Sequence, residues 1–282
     1  MQYDDKVVLI TGAATGIGRE TARRLGAAGA RVFIADLSAD GAEAAARSVA
    51  GGRAVGIRCD VTRQDDVDAL RDQVLAAAGR LDLVINNAAR PPVSGPFLKV
   101  GLDQWSEALD VNVLGYVRII QAFLPTLLAQ GSGRIVNTAS ALALLPDPPT
   151  RFMGPYIASK GAQLALSYGL SHTLQDTGVA VSVFCPGLTA TADMGDGKMS
   201  PLPPGSPPPS EFARGVPKRR GRPASVDHAV DVLLAGLARG DFLICSQAGY
   251  QEDLIAFARL GLDPGTIVAE ALAEAGDASP SL

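Results

Sequence analysis

Short β-branched runs alternate with alanine-rich stretches of helical spacing along most of this chain, and no other feature restricts its folding as much. The strand candidates are Val7 to Ile10, Val32 to Ala35, Ala54 to Arg58, Leu83 to Ile85, Arg134 to Asn137 and Val179 to Phe184, with a last one from Phe242 to Cys245. Apolar spacing predicts helices over Gly16 to Ala28, Ala39 to Ala50, Arg63 to Ala78, Leu102 to Leu128, Pro155 to Thr177 and Ser225 to Ala238. A helix between two strands lets the second run in the same direction as the first, so this order builds βαβ units and a parallel sheet flanked by helices. With 47% hydrophobic residues among 282, the chain has apolar material for one large core, and a single domain is expected.

Charge and cysteine content narrow the chemistry. A net charge of -4 lacks the basic excess of a general nucleic-acid binder, so small-molecule chemistry is expected. Met1-Gln2-Tyr3-Asp4-Asp5-Lys6 is no cationic leader before an apolar stretch, and no segment approaches eighteen uninterrupted apolar residues; a cytoplasmic protein with no membrane span is expected. Cys59, Cys185 and Cys245 lie in or beside apolar strand runs and read as reduced, buried thiols. His172 and His228 have no Cys, Asp or Glu partners at ligand spacing, so no metal site is expected. There is no G-x-S-x-G elbow for acyl transfer.

The first strand runs into Thr11-Gly12-Ala13-Ala14-Thr15-Gly16-Ile17-Gly18, which opens the first helix. In that context backbone amides can cradle a pyrophosphate against the positive end of a helix. Gly12 would permit the tight turn, and Gly16 and Gly18 the close approach of backbone to phosphate. Asp36 ends the second strand eighteen residues after Gly18, where a carboxylate can accept adenosine ribose hydroxyls and would repel a 2′-phosphate. This favours NAD over NADP, although Arg19 lies near in sequence and turns also select aspartate for capping.

Far downstream, Tyr156-Ile157-Ala158-Ser159-Lys160 puts a phenol and an ammonium on one helix face. A neighbouring ammonium favours the phenolate, which makes tyrosine usable as an acid or base. Lowering a phenol from about 10 to about 7 requires roughly 4 kcal/mol of differential electrostatics, of which one lysine supplies part and a cationic nicotinamide more. The pattern breaks between Gly195 and Pro223, where a proline run cannot continue a helix or pair within a sheet. That loop ends in the basic cluster Lys218-Arg219-Arg220-Gly221-Arg222, read either as a solvated patch or as a lid over an anionic ligand.

With the glycine loop, Asp36, Cys59-Asp60-Val61, Asn86-Asn87-Ala88-Ala89, Asn112, Ser140, Tyr156, Lys160 and Pro186-Gly187 in this order, the chain resembles the short-chain dehydrogenase/reductase family over about residues 5 to 192. The resemblance implies a single-domain, doubly wound Rossmann fold with a mostly parallel seven-stranded sheet. It implies that Gly12, Thr15, Gly16, Ile17 and Gly18 bind the cofactor, that Asp60 meets the adenine amino group with the Val61 backbone beside it, and that Asn87 and Ala88 line the cofactor. Tyr156 resembles the catalytic acid/base, with Lys160 as its electrostatic partner and a ribose ligand. Ser140 would hydrogen-bond the substrate oxygen, and Asn112 would position a water in a proton relay, a role compatible with satisfying a local helix irregularity. Pro186, Gly187, Leu188 and Thr189 resemble the segment that meets the nicotinamide carboxamide, with Thr191 reaching the pyrophosphate or the amide.

The implied reaction is reversible NAD-dependent oxidation of a secondary alcohol to a ketone, with Leu142, Leu144 and Phe152 forming an apolar substrate wall. Ordinary packing explains Leu142 and Leu144 equally well. A ketone or 3-oxoacyl thioester reductase using NAD(P)H is the alternative within enzymes, and a non-catalytic NAD(H)-binding sensor or scaffold the alternative outside them. A homodimer or homotetramer on the long helices before and after Ser140 is also implied. The chain departs from the family pattern at Ala89, where glycine is usual, and in the long interval between Ser140 and Tyr156, which leaves Thr138 and Thr150 open as substrate contacts. It departs again in the proline-rich loop of residues 193–223, expected to belong to the substrate site, and in a helical extension over residues 246–282. The extension looks more like that of members accepting bulky hydrophobic or aromatic secondary alcohols.

Overall fold

The structure, a computed structural model, describes residues 3–92, 95–191 and 221–267. Seven parallel strands form one sheet: Val7–Thr11 (β1), Arg31–Asp36 (β2), Ala54–Arg58 (β3), Leu83–Asn86 (β4), Gly133–Thr138 (β5), Val179–Cys185 (β6) and Leu243–Cys245 (β9). Thr189–Ala190 (β7) and Ala224–Ser225 (β8) pair with each other separately, a small ribbon that the sequence pattern does not predict. The sheet order is β3-β2-β1-β4-β5-β6-β9, so the chain builds outward from β1 on one side and then returns to build on the other. This reversal between β1 and β4 opens a crevice at the carboxyl ends of the strands, where ligands of such sheets bind.

Strand geometry explains the two-sided core. Successive side chains point to opposite faces, so Leu9 and Phe33 join one apolar cluster while Val8, Ile10, Val32 and Ile34 join the other. Gln64–Ala78 (α3), Gly115–Gln130 (α5) and Gly154–Thr173 (α6) cover the first face, through Val67, Leu70, Ile119, Phe123, Leu166 and Leu170. Gly16–Ala27 (α1), Ala39–Arg47 (α2) and Val226–Arg239 (α7) cover the second, through Leu25, Ala42, Ala45 and Leu233. Tyr250–Arg259 (α8) follows β9 and sets Phe257 beside Leu145 and Ile267. The three cysteines are free and buried.

The helix expected over Leu102 to Leu128 is interrupted. It comprises Leu102–Leu109 (α4), a π turn over Asp110–Leu114 and then α5. Its 29 residues from Leu102 to Gln130 are long and apolar enough to cross a membrane by length and composition, yet Ile119, Phe123 and Leu127 pack into the domain core. Most of the proline-rich loop, with Lys218, Arg219 and Arg220 of its basic cluster, and residues 268–282 of the C-terminal extension lie outside the described residues.

Candidate active site

At the carboxyl end of β1 the glycine loop closes tightly on the turn after β4. Gly12 has φ +63°, and a Cβ there would stand 2.5 Å from the Ala88 Cα; one on Gly18 would stand 2.6 Å from the Gly12 carbonyl oxygen. Thr11 Oγ1 accepts the amides of Asn87 and Ala88, both at 3.1 Å, and Asn87 Nδ2 donates to the carbonyls of Thr11 and Gly12 at 3.1 and 2.8 Å. The Asn87 side chain thus holds the loop in place, a task the motif alone did not reveal. Thr11 is a second holding residue that the sequence reading passed over.

The loop suits a pyrophosphate. The first turn of α1 carries no acidic residue, Thr15 at its N-cap makes no side-chain capping bond, and Gly16, with φ +56°, keeps the approach open. A Cβ on Gly16 would lie 3.3 Å from the Thr191 methyl, so the strand-end segment carrying Thr191 faces the loop. Asp36 accepts the Ala14 amide through Oδ2 at 2.9 Å and the Ser38 amide through Oδ1 at 3.1 Å, combining loop support with a carboxylate at the crevice edge. Asp60 Oδ1 accepts the Thr62 amide and hydroxyl at 3.0 and 2.7 Å, and Val61 is buried beside it. On the other side of the crevice Ala141 donates to the Pro186 carbonyl at 2.9 Å, Gly187 to Ser246 Oγ at 3.1 Å, and Thr189 Oγ1 to the Gly187 carbonyl at 2.9 Å. Leu188 stays 39% exposed. These features fit a dinucleotide.

Ser140 leaves β5 in extended conformation, and Tyr156 and Lys160 project from the first two turns of α6. The three side chains converge: Ser140 and Lys160 are buried, Tyr156 is half-buried beside Ser140, and Lys160 Nζ lies 5.5 Å from the Tyr156 ring centroid. The long Ser140 to Tyr156 interval folds into short turns over Ala141–Ala143 and Pro148–Phe152 without separating them. Lys160 Nζ donates to the Thr138 carbonyl at 2.8 Å. Burial pushes the Tyr156 phenol above its ordinary value, and the neighbouring Ser140 hydroxyl works against that rise. Burial likewise pulls Lys160 down to about 7. Desolvation thus opposes the depressed phenol that pairing with Lys160 favours.

Asn112 sits in the π turn, fully buried. Its Oδ1 accepts the Arg90 amide at 2.7 Å, and its Nδ2 donates to Ser159 Oγ at 2.9 Å, whose hydroxyl donates to the Tyr156 carbonyl at 2.7 Å. The Asn112 backbone carbonyl accepts from Gln163 Nε2. Asn112 thereby ties α6 to the turn after β4. A parallel buried chain runs from Asn86 to Asn137 and on to Ser167, at 2.9 Å for each bond. Sequence reasoning missed Gln163, Ser159, Ser167 and Asn137, whose only signal was polar residues among apolar runs.

Of the expected substrate wall, Leu142 and Leu144 are half-buried beside Ser140, and Leu144, like Tyr250 and Leu254 of the C-terminal segment, packs against the cluster of Leu145, Phe257 and Ile267. Phe152 lies under the Arg151 guanidinium at 4.6 Å. Thr150 donates its hydroxyl to the Asp147 carbonyl at 2.8 Å and forms part of a turn, whereas the buried Thr138 offers its carbonyl to Lys160.

A family profile described as short chain dehydrogenase matches residues 6–200. Among curated proteins, the chain is 35% identical over 187 residues to 2,5-dichloro-2,5-cyclohexadiene-1,4-diol dehydrogenase of Sphingobium indicum, covering 66% of this chain and 73% of that one. A short-chain dehydrogenase/reductase from Burkholderia phymatum, solved with NAD, superposes with a TM-score of 0.79 at 27% identity, covering 94% of this chain and 98% of its own. The 3-ketoacyl-(acyl-carrier-protein) reductase of Brucella melitensis, solved with NADH, superposes with a TM-score of 0.74 at 25% identity over 88% and 99% of the two chains.

Proposed function

The chain belongs to the short-chain dehydrogenase family of oxidoreductases, and from that membership we propose that it oxidises a secondary alcohol reversibly to a ketone with NAD, on a hydrophobic or aromatic substrate. The observation that carries this reading is the convergence of Ser140, Tyr156 and Lys160 at the same end of the sheet as a tight glycine turn. In the oxidative direction Tyr156, as phenolate, accepts the proton of the substrate hydroxyl. Ser140 donates a hydrogen bond to the same oxygen and holds the carbinol carbon facing the crevice. NAD, when bound, supplies the acceptor for the two electrons and hydrogen of that carbon, and a cationic ring beside the phenol. Lys160, poised near neutrality by burial, stabilises the phenolate when protonated and can accept a proton when neutral.

Gly12, Thr15, Gly16, Ile17, Gly18 and Thr191 would hold the pyrophosphate. Asp36 would take the adenosine ribose, Asp60 and Val61 the adenine, and Asn87 with Ala88 the wall past β4. Pro186, Gly187, Leu188 and Thr189 would hold the carboxamide end. The preference for NAD rests on the Asp36 carboxylate, whose charge disfavours a 2′-phosphate. The apolar substrate class rests on Leu142, Leu144 and Phe152, and is in keeping with the ring diol named for the Sphingobium relative. The likeness to a ketoacyl reductase supports the reverse reaction on a 3-oxoacyl thioester as the second reading.

The test is NADH formation, followed by absorbance, from NAD and a panel of aliphatic, alicyclic and aryl secondary alcohols, beside NADP and a 3-oxoacyl thioester with NAD(P)H. Turnover of cyclic or aryl alcohols with NAD is expected. Turnover confined to the thioester moves the assignment to the reductase. Tight NADH binding with no turnover of any kind makes the chain a sensor.

A further inference from the structure

Two buried polar residues outside the family motifs converge on the anchor of Lys160. The Thr138 carbonyl that accepts Lys160 Nζ at 2.8 Å also accepts the Tyr116 hydroxyl at 3.3 Å. Tyr116 is 1% exposed on α5, its ring centroid 6.0 Å from Lys160 Nζ. Gln163, unexposed and one turn beyond Lys160 on α6, donates Nε2 to the Asn112 carbonyl. A carbonyl cannot donate, so this contact fixes which end of the amide faces Asn112. The same side chain lies near the Tyr116 hydroxyl and acts on it in the sense that favours negative charge on its oxygen. With Gln163 on that side of its oxygen, the hydroxyl gives its own proton to Thr138.

We propose that Tyr116 and Gln163 are positioning residues that set the charge state of Lys160: Gln163 aims the Tyr116 hydroxyl at the Thr138 carbonyl, where it competes with the ammonium for one acceptor. A bond from an ammonium is stronger than one from a neutral amine, so sharing the carbonyl costs the charged lysine more than the neutral one. Loss of the hydroxyl therefore strengthens the hold of Lys160 on its proton. The titratable groups facing Lys160 are Tyr156 on its own helix, Tyr116 on α5 and Cys185 on β6; burial pushes the Cys185 thiol up to about 12, which leaves it neutral. Among the described residues no carboxylate forms an ion pair with Lys160. A small change at the Thr138 carbonyl is thus felt directly in the titration.

Only the catalytic consequence rests on the dehydrogenase reading; the titration does not. It is measured on the cofactor-free full chain by NMR of the lysine Cε resonances against pH, with Lys160→Met to assign the signal. Tyr116→Phe is expected to raise the Lys160 midpoint by about half a unit or more. Gln163→Met, which keeps the hydroxyl but frees its direction, should give a smaller rise of the same sign. A midpoint unchanged or lowered in Tyr116→Phe overturns the proposal, and so does one unchanged or lowered in Gln163→Met should Tyr116→Phe fail to fold. Where an alcohol is turned over, the acid limb of kcat should move to lower pH in Tyr116→Phe, because a more fully charged Lys160 favours the Tyr156 phenolate. A wild-type chain that oxidises no alcohol sinks the functional reading while leaving the titration to decide this one.

Discussion

At Lys160 and Tyr156 burial opposes the charge that the chemistry needs. An isolated helix with Y-x-x-x-K would favour phenolate beside ammonium, but inside this domain desolvation raises the phenol and pulls the amine to about 7. Lys160 then has a signature in stability. Its folded value lies below the ordinary 10.5, so between about pH 7 and 10 the unfolded chain binds more protons, and this residue's contribution grows more favourable as pH rises through that window. The stability of the wild type relative to Lys160→Met, from urea melts at stepped pH, should increase between pH 7 and 10; a flat difference would place the lysine in water. For Tyr156→Phe, kcat for alcohol oxidation should fall by about 10² to 10⁴ while NADH affinity, read by fluorescence, stays near the wild type. The pair was legible because its spacing is local. Tyr116, Gln163 and the Thr138 carbonyl were not, because three different elements bring them together.

Among the elements, the glycine turn and the π turn fix the site in different ways. Gly12 adopts φ +63° with no room for a Cβ against Ala88, so Gly12→Ala should destabilise the fold by about 1 to 3 kcal/mol in urea unfolding and weaken NADH binding. Stability and binding both unchanged would mean that the turn has slack. Removing the Asn112 amide should cost about 1 to 3 kcal/mol as well, since Asn112→Ala leaves the Arg90 amide and Ser159 hydroxyl without their present partner in the interior. The glycine turn was visible as a motif between a strand and a helix. The π turn was not, because one extra residue in a helical ladder leaves the apolar spacing of Leu102 to Gln130 almost intact, and a continuous helix was the natural expectation.

For the molecule as a whole, the C-terminal segment packs against the residues that follow Ser140. Phe257 and Ile267 bury against Leu145, with Leu144 packed at the rim, so Phe257→Ala should cost about 3 kcal/mol and raise KM for bulky alcohols more than it lowers kcat. An unaltered KM would separate the helix from substrate binding. A homodimer or homotetramer is expected, and a monomeric mass by light scattering would refute it. The parallel sheet, the glycine turn and the shared helix face of Tyr156 and Lys160 were legible in the sequence, because hydrophobic period, turn chemistry and helical spacing are local and survive in one dimension, whereas Ser140 was singled out only through the family resemblance. Tertiary structure alone decided that Asn87 holds a loop, that Asn112 ties two elements together, that the long interval after Ser140 folds back in compact turns, and that Lys160 shares its carbonyl with Tyr116. Those outcomes depend on which distant polar groups meet in the interior, where an unpaired group is costly and each donor takes the acceptor that packing brings within reach.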